Sequence, residues 1–594
     1  MTDVDDAVGR LRAEWGLDFA RVRRLLSALS EPVALRGLVS ASGLPRRDVE
    51  DVLDELAPFL ATDGGIRYLP RPLPDKRRPP ATDAGEDAIP VAVLDERALT
   101  TRMAELAAGL PPSRWRLDHV PATAETMARR ALHLVGEYEL DGASVLCLGD
   151  HDLTALAVGS AEPGAELTVV DIDERILDHV SDSAAGLGLP LTAAWSDLRL
   201  ALPPSLTGTA DLVFTDPPYT TDGMRLFLTR ALEALRPSGH ERLAFCFGTG
   251  ERHLVKALEV QSLLGDLRLA LEAMLPGFNR YDGAEAIGAR SDLYLCRPAK
   301  GAKVGEPARP ARRARHGRAR DTAGAARSDV VAGSRIYTRG PASEEAPVPT
   351  LPEAVAAAAV AAAGEGPLVL VGDGWEDPAV GLPDYFGRVA AWATAARPGP
   401  FPFPGTLVVN THPDYGAAAL RTLLLAAPER AVLIGPRRDL VAAGLVPGSP
   451  ADPRSEARSI RPDRTSRASG PDPLARLLAV AYDLSAVPTG PGGEPAVVAV
   501  TRNDRAPADA TAAVLRHIVL HPGAKVANAW RDALLAVARE AGHPMTKNEA
   551  RAVIAAASSP SPALRRLRIW ELPAAALRDL SGAIIPDAHE GTQR

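Results

Sequence analysis

Val213-Phe214-Thr215-Asp216-Pro217-Pro218-Tyr219-Thr220 is the segment most indicative of the architecture of this chain. A short apolar run ends on an acid, two prolines and an aromatic ring, which predicts a buried strand followed at once by a binding loop. The proline pair holds the backbone extended and has no N–H groups to satisfy. Asp216 can accept from an amine N–H, and Tyr219 offers a flat face to a base or an alkylammonium group. The segment therefore suits a nitrogen nucleophile held ready for alkylation.

Three apolar runs upstream also end on acids, as expected of a parallel sheet. Residues 144–148 lead into Gly149-Asp150-His151-Asp152, residues 167–170 into Asp171-Ile172-Asp173, and residues 193–196 into Asp197. Ligands of open α/β sheets bind outside the carboxyl ends of the strands. We therefore expect one crevice to collect six carboxylates, those of Asp150, Asp152, Asp171, Asp173, Asp197 and Asp216.

The positions of these acids favour an S-adenosyl ligand. An acid after the second strand of a nucleoside-binding fold commonly holds the ribose hydroxyls, and an acid after the third can accept from the adenine amino group. Phosphates are disfavoured, because a carboxylate cluster repels them. The glycine-rich dinucleotide fingerprint is also missing, with only Gly149 at the first turn.

The motifs resemble those of the N(4)-bis(aminopropyl)spermidine synthases, also called branched-chain polyamine synthases, over about residues 1–300. The resemblance rests on residues 148–154, 169–175, 197–203 and 215–220, with weaker support from residues 117–126 and 278–281. It implies an aminopropyltransferase that uses decarboxylated S-adenosylmethionine and releases methylthioadenosine. Family members usually carry three consecutive acids after the glycine of the first turn, and the middle position is His151 in this chain.

The charges of the expected crevice fit this reaction. Carboxylates favour the sulfonium and ammonium of the donor and a polyamine acceptor, and they penalise the carboxylate of ordinary S-adenosylmethionine. An alkylamine has a pKa of about 10.4, so its deprotonation at neutral pH costs roughly 4–5 kcal/mol. A carboxylate raises that pKa further. Its expected roles are therefore positioning, local proton acceptance and stabilisation of the ammonium formed on attack.

The site residues expected on these grounds fall into three groups. The catalytic carboxylates are Asp152 and Asp216 at the acceptor nitrogen and Asp150 at the propylamine of the donor, although Asp150 and Asp152 could exchange roles. The donor is expected to bind at Gly149, Asp171, Asp173 and Asp197. The acceptor is expected to bind at His151, Pro217, Tyr219, Glu125, Asn279 and Tyr281, of which Asn279 and Tyr281 follow Gly277 in a predicted loop. No metal is expected, because no ligand spacing argues for one.

Simpler roles and other functions remain open for the same residues. Asp173 is as well explained as a helix N-cap as by ligand binding, and His151 could be a loop residue, a substrate contact or a proton shuttle. An amino-methyltransferase is a second hypothesis, since such enzymes also carry Asp-Pro-Pro-Tyr after a fourth strand, but it needs a basic groove for nucleic acid. A winged-helix regulator that senses an adenosyl ligand is a third.

Composition narrows the class of protein. The chain has 594 residues, an ordinary apolar fraction of 46% and a net charge of −8, which disfavours nonspecific nucleic-acid binding. Cys147, Cys246 and Cys296 lie in separate apolar runs and are expected to be buried, reduced thiols of a cytoplasmic protein. The acidic opening does not suggest a signal peptide, and the alanine-rich run at 354–363 is too short to span a membrane.

The length predicts several domains. Residues 1–78 are expected to form a winged helix, with three helices and a hairpin turn at Asp63-Gly64-Gly65, and residues 79–300 the Rossmann-like catalytic domain. The third helix is acidic, which favours dimerisation over DNA binding, and a homodimer is expected. Residues 301–348 read as a disordered basic linker. Apolar runs ending at 371, 410, 434 and 500 predict a second α/β domain over 349–594, of unknown function.

Overall fold

A computed structural model describes most of the first 299 residues and parts of the remainder. The described residues are 4–63, 66–70, 95–114, 117–198, 202–248, 254–283, 288–299, 368–371, 406–410, 416–435, 473–487, 496–557 and 559–583, with single residues at 362, 437, 440 and 445. The predicted linker at 301–348 lies outside the described residues, and so do the turn glycines at 64 and 65.

The N-terminal unit consists of four helices followed by a two-stranded antiparallel hairpin. Its elements are α1 (Val4–Trp15), α2 (Phe19–Ala28), α3 (Leu35–Ser42), α4 (Arg46–Glu55), β1 (Ala61–Asp63) and β2 (Ile66–Tyr68). The apolar faces of the helices form a separate core that includes Val22, Leu25 and Val49. The sequence analysis predicted the last three helices and the hairpin but not α1.

A seven-stranded sheet forms the centre of the molecule. Its strands are β3 (Ser144–Leu148), β4 (Glu166–Asp171), β5 (Leu191–Trp195), β6 (Leu212–Thr215), β7 (Arg242–Phe247), β8 (Leu269–Arg280) and β9 (Arg290–Pro298), in the order β5-β4-β3-β6-β7-β9-β8. The first five strands of that order are parallel, and β9 and β8 continue it in antiparallel pairing. The parallel strands are apolar almost throughout, because helices cover both faces of such a sheet.

Two described helices of this unit precede β3, and the others connect later strands of the sheet, as in Rossmann-like folds. In chain order, the helices are α5 (Glu96–Ala107), α6 (Ala124–Glu137), α7 (Thr154–Ala161), α8 (Glu174–Leu187), α9 (Thr221–Ala234) and α10 (Leu254–Asp266). The chain leaves β3 toward β4 on one side, and β6 pairs on the other side of β3. Such a switch point opens a crevice at the carboxyl ends of the strands. The Rossmann-like α/β fold predicted from the strand ends is therefore present.

One local prediction in this unit is wrong. The sequence predicts that Asn279 and Tyr281 follow Gly277 in a loop, whereas β8 continues through Arg280 and Tyr281 forms an isolated bridge with Ala122. The strand is irregular there, with a register shift between Leu275 and Asn279. Gly277 has a φ of +58° and supplies the local bend that looked like a turn in the sequence.

The C-terminal part contains a second, five-stranded mixed sheet. Its strands are β10 (Leu368–Val371), β11 (Thr406–Asn410), β12 (Arg430–Gly435), β13 (Tyr482–Val487) and β14 (Ala496–Arg502), in the order β10-β11-β12-β14-β13. Its helices are α11 (Gly416–Ala426), α12 (Pro473–Ala479), α13 (Ala510–Leu520), α14 (Val526–Glu540), α15 (Lys547–Ala556) and α16 (Ala574–Ala583). The sequence analysis predicted four of these strands and missed β13.

Three further observations concern the described residues as a whole. Cys147, Cys246 and Cys296 are buried free thiols, as the sequence predicts. Within the described ranges, no helix is both long and apolar enough to cross a bilayer. No group of three or more His, Cys, Asp or Glu residues in those ranges is arranged to hold a metal ion.

Candidate active site

A cleft lies at the carboxyl ends of the parallel strands, beside the switch point. Its lining carries four carboxylates, two imidazoles and, among the residues that the structure describes, no Lys or Arg. The lining residues are Leu117, Asp118, His119, Gly149, His151, Val170, Asp171, Ile172, Ser196, Asp197, Leu198, Asp216, Pro218, Leu226 and Phe227. The cleft is therefore an acidic pocket with an apolar floor.

The first turn, between β3 and α7, separates its three polar residues. Asp150 turns toward α7, where its two oxygens accept from the N–H groups of Thr154 at 2.8 Å and Ala155 at 3.0 Å. The carboxylate thus satisfies the free N–H groups at the start of the helix. Burial raises the pKa of Asp150 to about 7, even though these two hydrogen bonds oppose the shift.

The turn after β4 separates Asp171 from Asp173. Asp171 faces the cleft and accepts from the N–H groups of Asp150 at 3.1 Å and Asp173 at 2.8 Å, while burial raises its pKa to about 6. Asp173 caps α8 through the N–H of Arg175. It is also paired with the guanidinium groups of Arg175 at 2.6 Å and Arg114 at 3.2 Å. Burial works to raise the pKa of Asp173, but the two arginines hold it below its usual value.

A buried arginine lies behind the cleft, and the sequence analysis did not select it. The guanidinium of Arg130 donates to Asp152 Oδ2 at 2.8 Å, to Asp216 Oδ2 at 2.7 Å and to Asn279 Oδ1 at 2.8 Å. Its side chain is fully buried, and the planar fork of donors matches this three-way arrangement. The sequence pattern could have identified Arg130 as a buried charge, because it lies on the same face of α6 as the buried Met127 and Leu134. A charge in an apolar stripe needs a buried partner.

Two tyrosines support Asp216 at the end of β6. The hydroxyl of Tyr219 donates to Oδ1 at 2.8 Å, and the hydroxyl of Tyr281 donates to Oδ2 at 2.7 Å. Ser291 lies 2.7 Å from the Tyr281 hydroxyl and accepts from Asn279 Nδ2 at 2.9 Å. Burial raises the pKa of Asp216, although Arg130 and the two tyrosines favour its ionised form. The carboxylate is thus held in one orientation while it forms part of the cleft wall.

Two stacked histidines form another part of the wall. The rings of His119 and His151 are nearly parallel, with centroids 4.8 Å apart. His151 Nε2 lies 3.0 Å from the carbonyl oxygen of Val120 and 3.1 Å from Asp152 Oδ1, which also accepts from the N–H of Ala122. Burial and the neighbouring His151 lower the pKa of His119 to about 3.

The expected convergence of six aspartates is met only in part. Asp171, Asp197 and Asp216 line the cleft, as do Gly149 and His151. The carboxylates of Asp150, Asp152 and Asp173 are buried behind the wall, because helix N-termini and arginines already bind them. Of the expected acceptor residues, Tyr219, Asn279 and Tyr281 stand around Asp216 and its arginine partner, and Pro217 adjoins the lining residue Pro218. Glu125 is exposed in the first turn of α6 and lies outside the lining.

The fold and site together define a Rossmann-like α/β protein with an acidic cleft at its strand ends. Residues 98–295 match the family model described as branched-chain polyamine synthase A, C-terminal domain. The N(4)-bis(aminopropyl)spermidine synthase of Thermus thermophilus is 30% identical over 294 residues, which cover 47% of this chain and 77% of that protein. The chain belongs to the branched-chain polyamine synthase family.

Other similar proteins match a shorter part of this chain or have a lower sequence identity to it. A protein of Methanocaldococcus jannaschii described as uncharacterized is 35% identical over 171 residues, 29% of this chain and 43% of its own length. This chain spans 43% to 55% of the length of the first three curated relatives that it matches. The crystal structure of the T. thermophilus branched-chain polyamine synthase with N4-aminopropylspermidine and 5′-methylthioadenosine has 26% identity and a TM-score of 0.31, covering 49% of this chain and 91% of that one.

Proposed function

We propose that the chain is an aminopropyltransferase that moves an aminopropyl group from decarboxylated S-adenosylmethionine to an amine nitrogen of a polyamine. The observation that carries the proposal is the charge of the cleft lining, with Asp118, Asp171, Asp197 and Asp216 and, in the described part of the chain, no Lys or Arg. Such a wall attracts a sulfonium and an alkylammonium group, and its carboxylates repel the carboxylate of ordinary S-adenosylmethionine. Family membership supports the same reaction, because curated members are named N(4)-bis(aminopropyl)spermidine synthases.

The donor is assigned to the part of the cleft formed by the ends of β3, β4 and β5. Asp171 would accept from the ribose hydroxyls, and Asp197 from the adenine amino group. Gly149 has a φ of +68°, and a Cβ there would lie 3.4 Å from Phe227, so a side chain would narrow the floor under the nucleoside. Asp150 and Asp173 contribute to this subsite through their backbone N–H groups, which donate to the carboxylate of Asp171 and hold it in place.

The acceptor nitrogen is assigned to Asp216 and Tyr219. Attack of a neutral amine on the propyl carbon of the donor forms a C–N bond and breaks the C–S bond, whose electron pair stays on sulfur as methylthioadenosine is released. The positive charge moves from sulfur to the new ammonium. Asp216 would orient the amine before attack and stabilise the ammonium after it. Asn279, Tyr281 and Asp152 position this carboxylate through Arg130 and the tyrosine hydroxyls.

The remaining assignments concern the whole chain. We propose a winged-helix domain at residues 1–78, the catalytic domain at 79–300, a linker at 301–348 and a C-terminal α/β domain at 349–594. The acidic α4 supports a structural role for the first domain, in a homodimer, and disfavours nucleic-acid binding: it carries Asp48, Glu50, Asp51, Asp54 and Glu55 against Arg46 and Arg47.

Donor choice tests the proposed function directly. The purified full chain is incubated with decarboxylated S-adenosylmethionine or with S-adenosylmethionine, each with a mixture of polyamines, and the sulfur product is followed by mass spectrometry. Methylthioadenosine together with a polyamine heavier by one aminopropyl unit is the expected result, and it is lost in Asp216→Asn. S-adenosylhomocysteine would instead assign the chain to the amino-methyltransferases. If neither product forms, the result favours a protein that only senses an adenosyl ligand.

A further inference from the structure

One residue of the cleft departs from the family pattern and has the surroundings of a proton acceptor. In the first turn, the carboxylates of Asp150 and Asp152 are bound behind the wall, and His151 between them is part of the cleft lining. Only 13% of the His151 side chain is exposed. The position that usually carries a family acid therefore presents an imidazole to the bound molecules.

The hydrogen bonds of His151 decide which ring nitrogen titrates. Nε2 lies within hydrogen-bond distance of the Val120 carbonyl and of Asp152 Oδ1. A carbonyl can only accept, and Asp152 is kept ionised because His151, Arg130 and the N–H of Ala122 lower its pKa against the effect of burial. Nε2 must therefore carry a hydrogen in both charge states of the ring. The proton that comes and goes is the one on Nδ1.

The groups around the ring keep this nitrogen basic. Burial acts to lower the pKa of His151, but Asp152, the Val120 carbonyl, Asp216 and Asp171 together hold it above its ordinary value of 6.5. The stacked His119 stays neutral at physiological pH, since its own pKa is about 3. An imidazole oriented by a carboxylate at one nitrogen and free to titrate at the other is the arrangement of a general base.

We propose that His151 is the general base of the reaction, with Asp152 as the residue that orients it. The inference rests on the proposed function. The acceptor arrives as an ammonium, and the proton on its reacting nitrogen passes to His151 Nδ1. The freed lone pair attacks the propyl carbon, the C–S bond breaks toward sulfur, and the product ammonium retains its remaining proton. The imidazolium, stabilised by Asp152, releases its proton to solvent before the next turnover.

The first test is the pH dependence of the transfer rate in His151→Asn. In the wild-type chain, kcat should rise with pH through a midpoint above about 6.5 and then level off, because only the neutral imidazole accepts a proton. The variant should lose about 10²–10³-fold in kcat at neutral pH, the usual scale of general-base catalysis. Its rate should then rise with hydroxide across the whole range. Binding of methylthioadenosine, measured by calorimetry, should change by less than about threefold.

Matched variants separate a base from a structural role. His179 also places Nε2 on a backbone carbonyl, that of Leu106 at 3.1 Å, but it lies outside the cleft lining, so His179→Asn should keep the wild-type profile. Added imidazole should restore part of the activity of His151→Ala, which no purely structural role predicts. Nitrogen NMR of the ligand-free chain should find hydrogen on Nε2 and titration at Nδ1.

The outcomes distinguish this inference from the function on which it rests. An active wild type with an equally active His151→Asn variant of unchanged pH profile would overturn the base role and leave the transferase intact. A histidine that titrates at Nε2 would overturn the geometric argument by itself. A wild type that converts no decarboxylated donor would overturn the proposed function, and the base role with it.

Discussion

At the scale of single residues, the site depends on one buried cation shared by two carboxylates. Arg130 pairs with Asp152 and Asp216, which leaves the trio with a formal charge of −1 when both acids are ionised. The excess charge lies beside the cleft, where Asp216 forms part of the wall. Arg130 therefore allows carboxylates to be buried beside the cleft without neutralising them completely.

Replacing Arg130 by Met tests this balance. The variant leaves Asp152 and Asp216 buried without their cation, and loss of one partner of a buried pair typically costs about 3–5 kcal/mol. The measurement is the opening free energy of β3 and β6 amides by hydrogen exchange. The folded-state pKa values of both carboxylates should rise in the variant. The loss of opening free energy relative to the wild type should therefore grow as pH rises and be smallest near pH 5. Arg129→Met, which removes a bond to the Phe278 carbonyl, is the control and should cost no more than about 1.5 kcal/mol.

The proposed ribose contact of Asp171 predicts a pH dependence of nucleoside binding. With a pKa of about 6, the Asp171 carboxylate is mostly protonated at pH 5 and mostly ionised at pH 7.5. Only the ionised form accepts from both ribose hydroxyls, so the affinity for neutral methylthioadenosine should increase by about tenfold over that range. Calorimetry at several pH values measures the effect. Asp171→Asn should bind methylthioadenosine weakly at every pH. If the affinity of this variant still changes with pH as in the wild type, the assignment of Asp171 to the ribose is wrong.

At the scale of elements, strand ends could be predicted from the sequence, but side-chain direction could not. Buried parallel strands are continuous apolar runs, so β3, β4 and β6 and the residues after them stand out. Whether an acid after a strand faces the cleft depends on which N–H groups compete for it. Asp150 accepts from an N–H at the start of α7, and Asp173 accepts from an N–H at the start of α8. Those competitors become visible only when the helices are in place.

The long hairpin of β8 and β9 was harder to predict for a related reason. Pro276 and Gly277 interrupt the strand pattern, so the segment resembles a loop. β8 is the outer strand among the strands that the structure describes and tolerates both residues, because it pairs with β9 on one side only. The hairpin matters for function because it brings Asn279, Tyr281 and Ser291 behind Asp216.

Tyr281→Phe tests whether the hairpin supports Asp216, the proposed contact of the acceptor nitrogen. The variant keeps the ring and removes the donor to Asp216 Oδ2, so the pKa of Asp216 should rise further. We expect kcat to fall by about tenfold, with an acid limb from Asp216 added to that of His151 in the pH profile. The control is Tyr294→Phe on β9. The Tyr294 ring stacks on Phe245 with the ring centroids 4.9 Å apart, and the tyrosine hydroxyls bonded to Asp216 are those of Tyr219 and Tyr281. Equal pH profiles for the two variants would show that the Tyr281 hydroxyl does not act on Asp216.

At the scale of the whole molecule, helical segments of the C-terminal unit contact α8 and the residues around β5, beside the proposed donor subsite. The family model ends at residue 295, so the C-terminal contacts come from a part of the chain that it does not match. Arg421 on α11 pairs with Glu174 at 2.6 Å and lies over the ring of Trp195. Glu571 accepts from the N–H of Ser205 at 3.3 Å. Glu174 directly follows Asp173, so the C-terminal unit holds the start of α8 and the end of β5.

The ion pair between the two units should respond unequally to loss of either partner. Arg421 is almost fully buried, and its Nε and Nη1 find no acceptor among the described residues, whereas Glu174 also accepts from the N–H of Ala574 at 2.8 Å. Arg421→Met removes a poorly solvated charge and fills its volume with apolar atoms. Glu174→Gln leaves that charge buried beside a neutral amide. We therefore expect Glu174→Gln to lower the unfolding free energy by about 2–4 kcal/mol and Arg421→Met by less than half as much. Urea unfolding of both variants and of the double variant measures the difference. A larger loss in Arg421→Met would mean that the pair is net stabilising and that the unpaired N–H groups of Arg421 cost little.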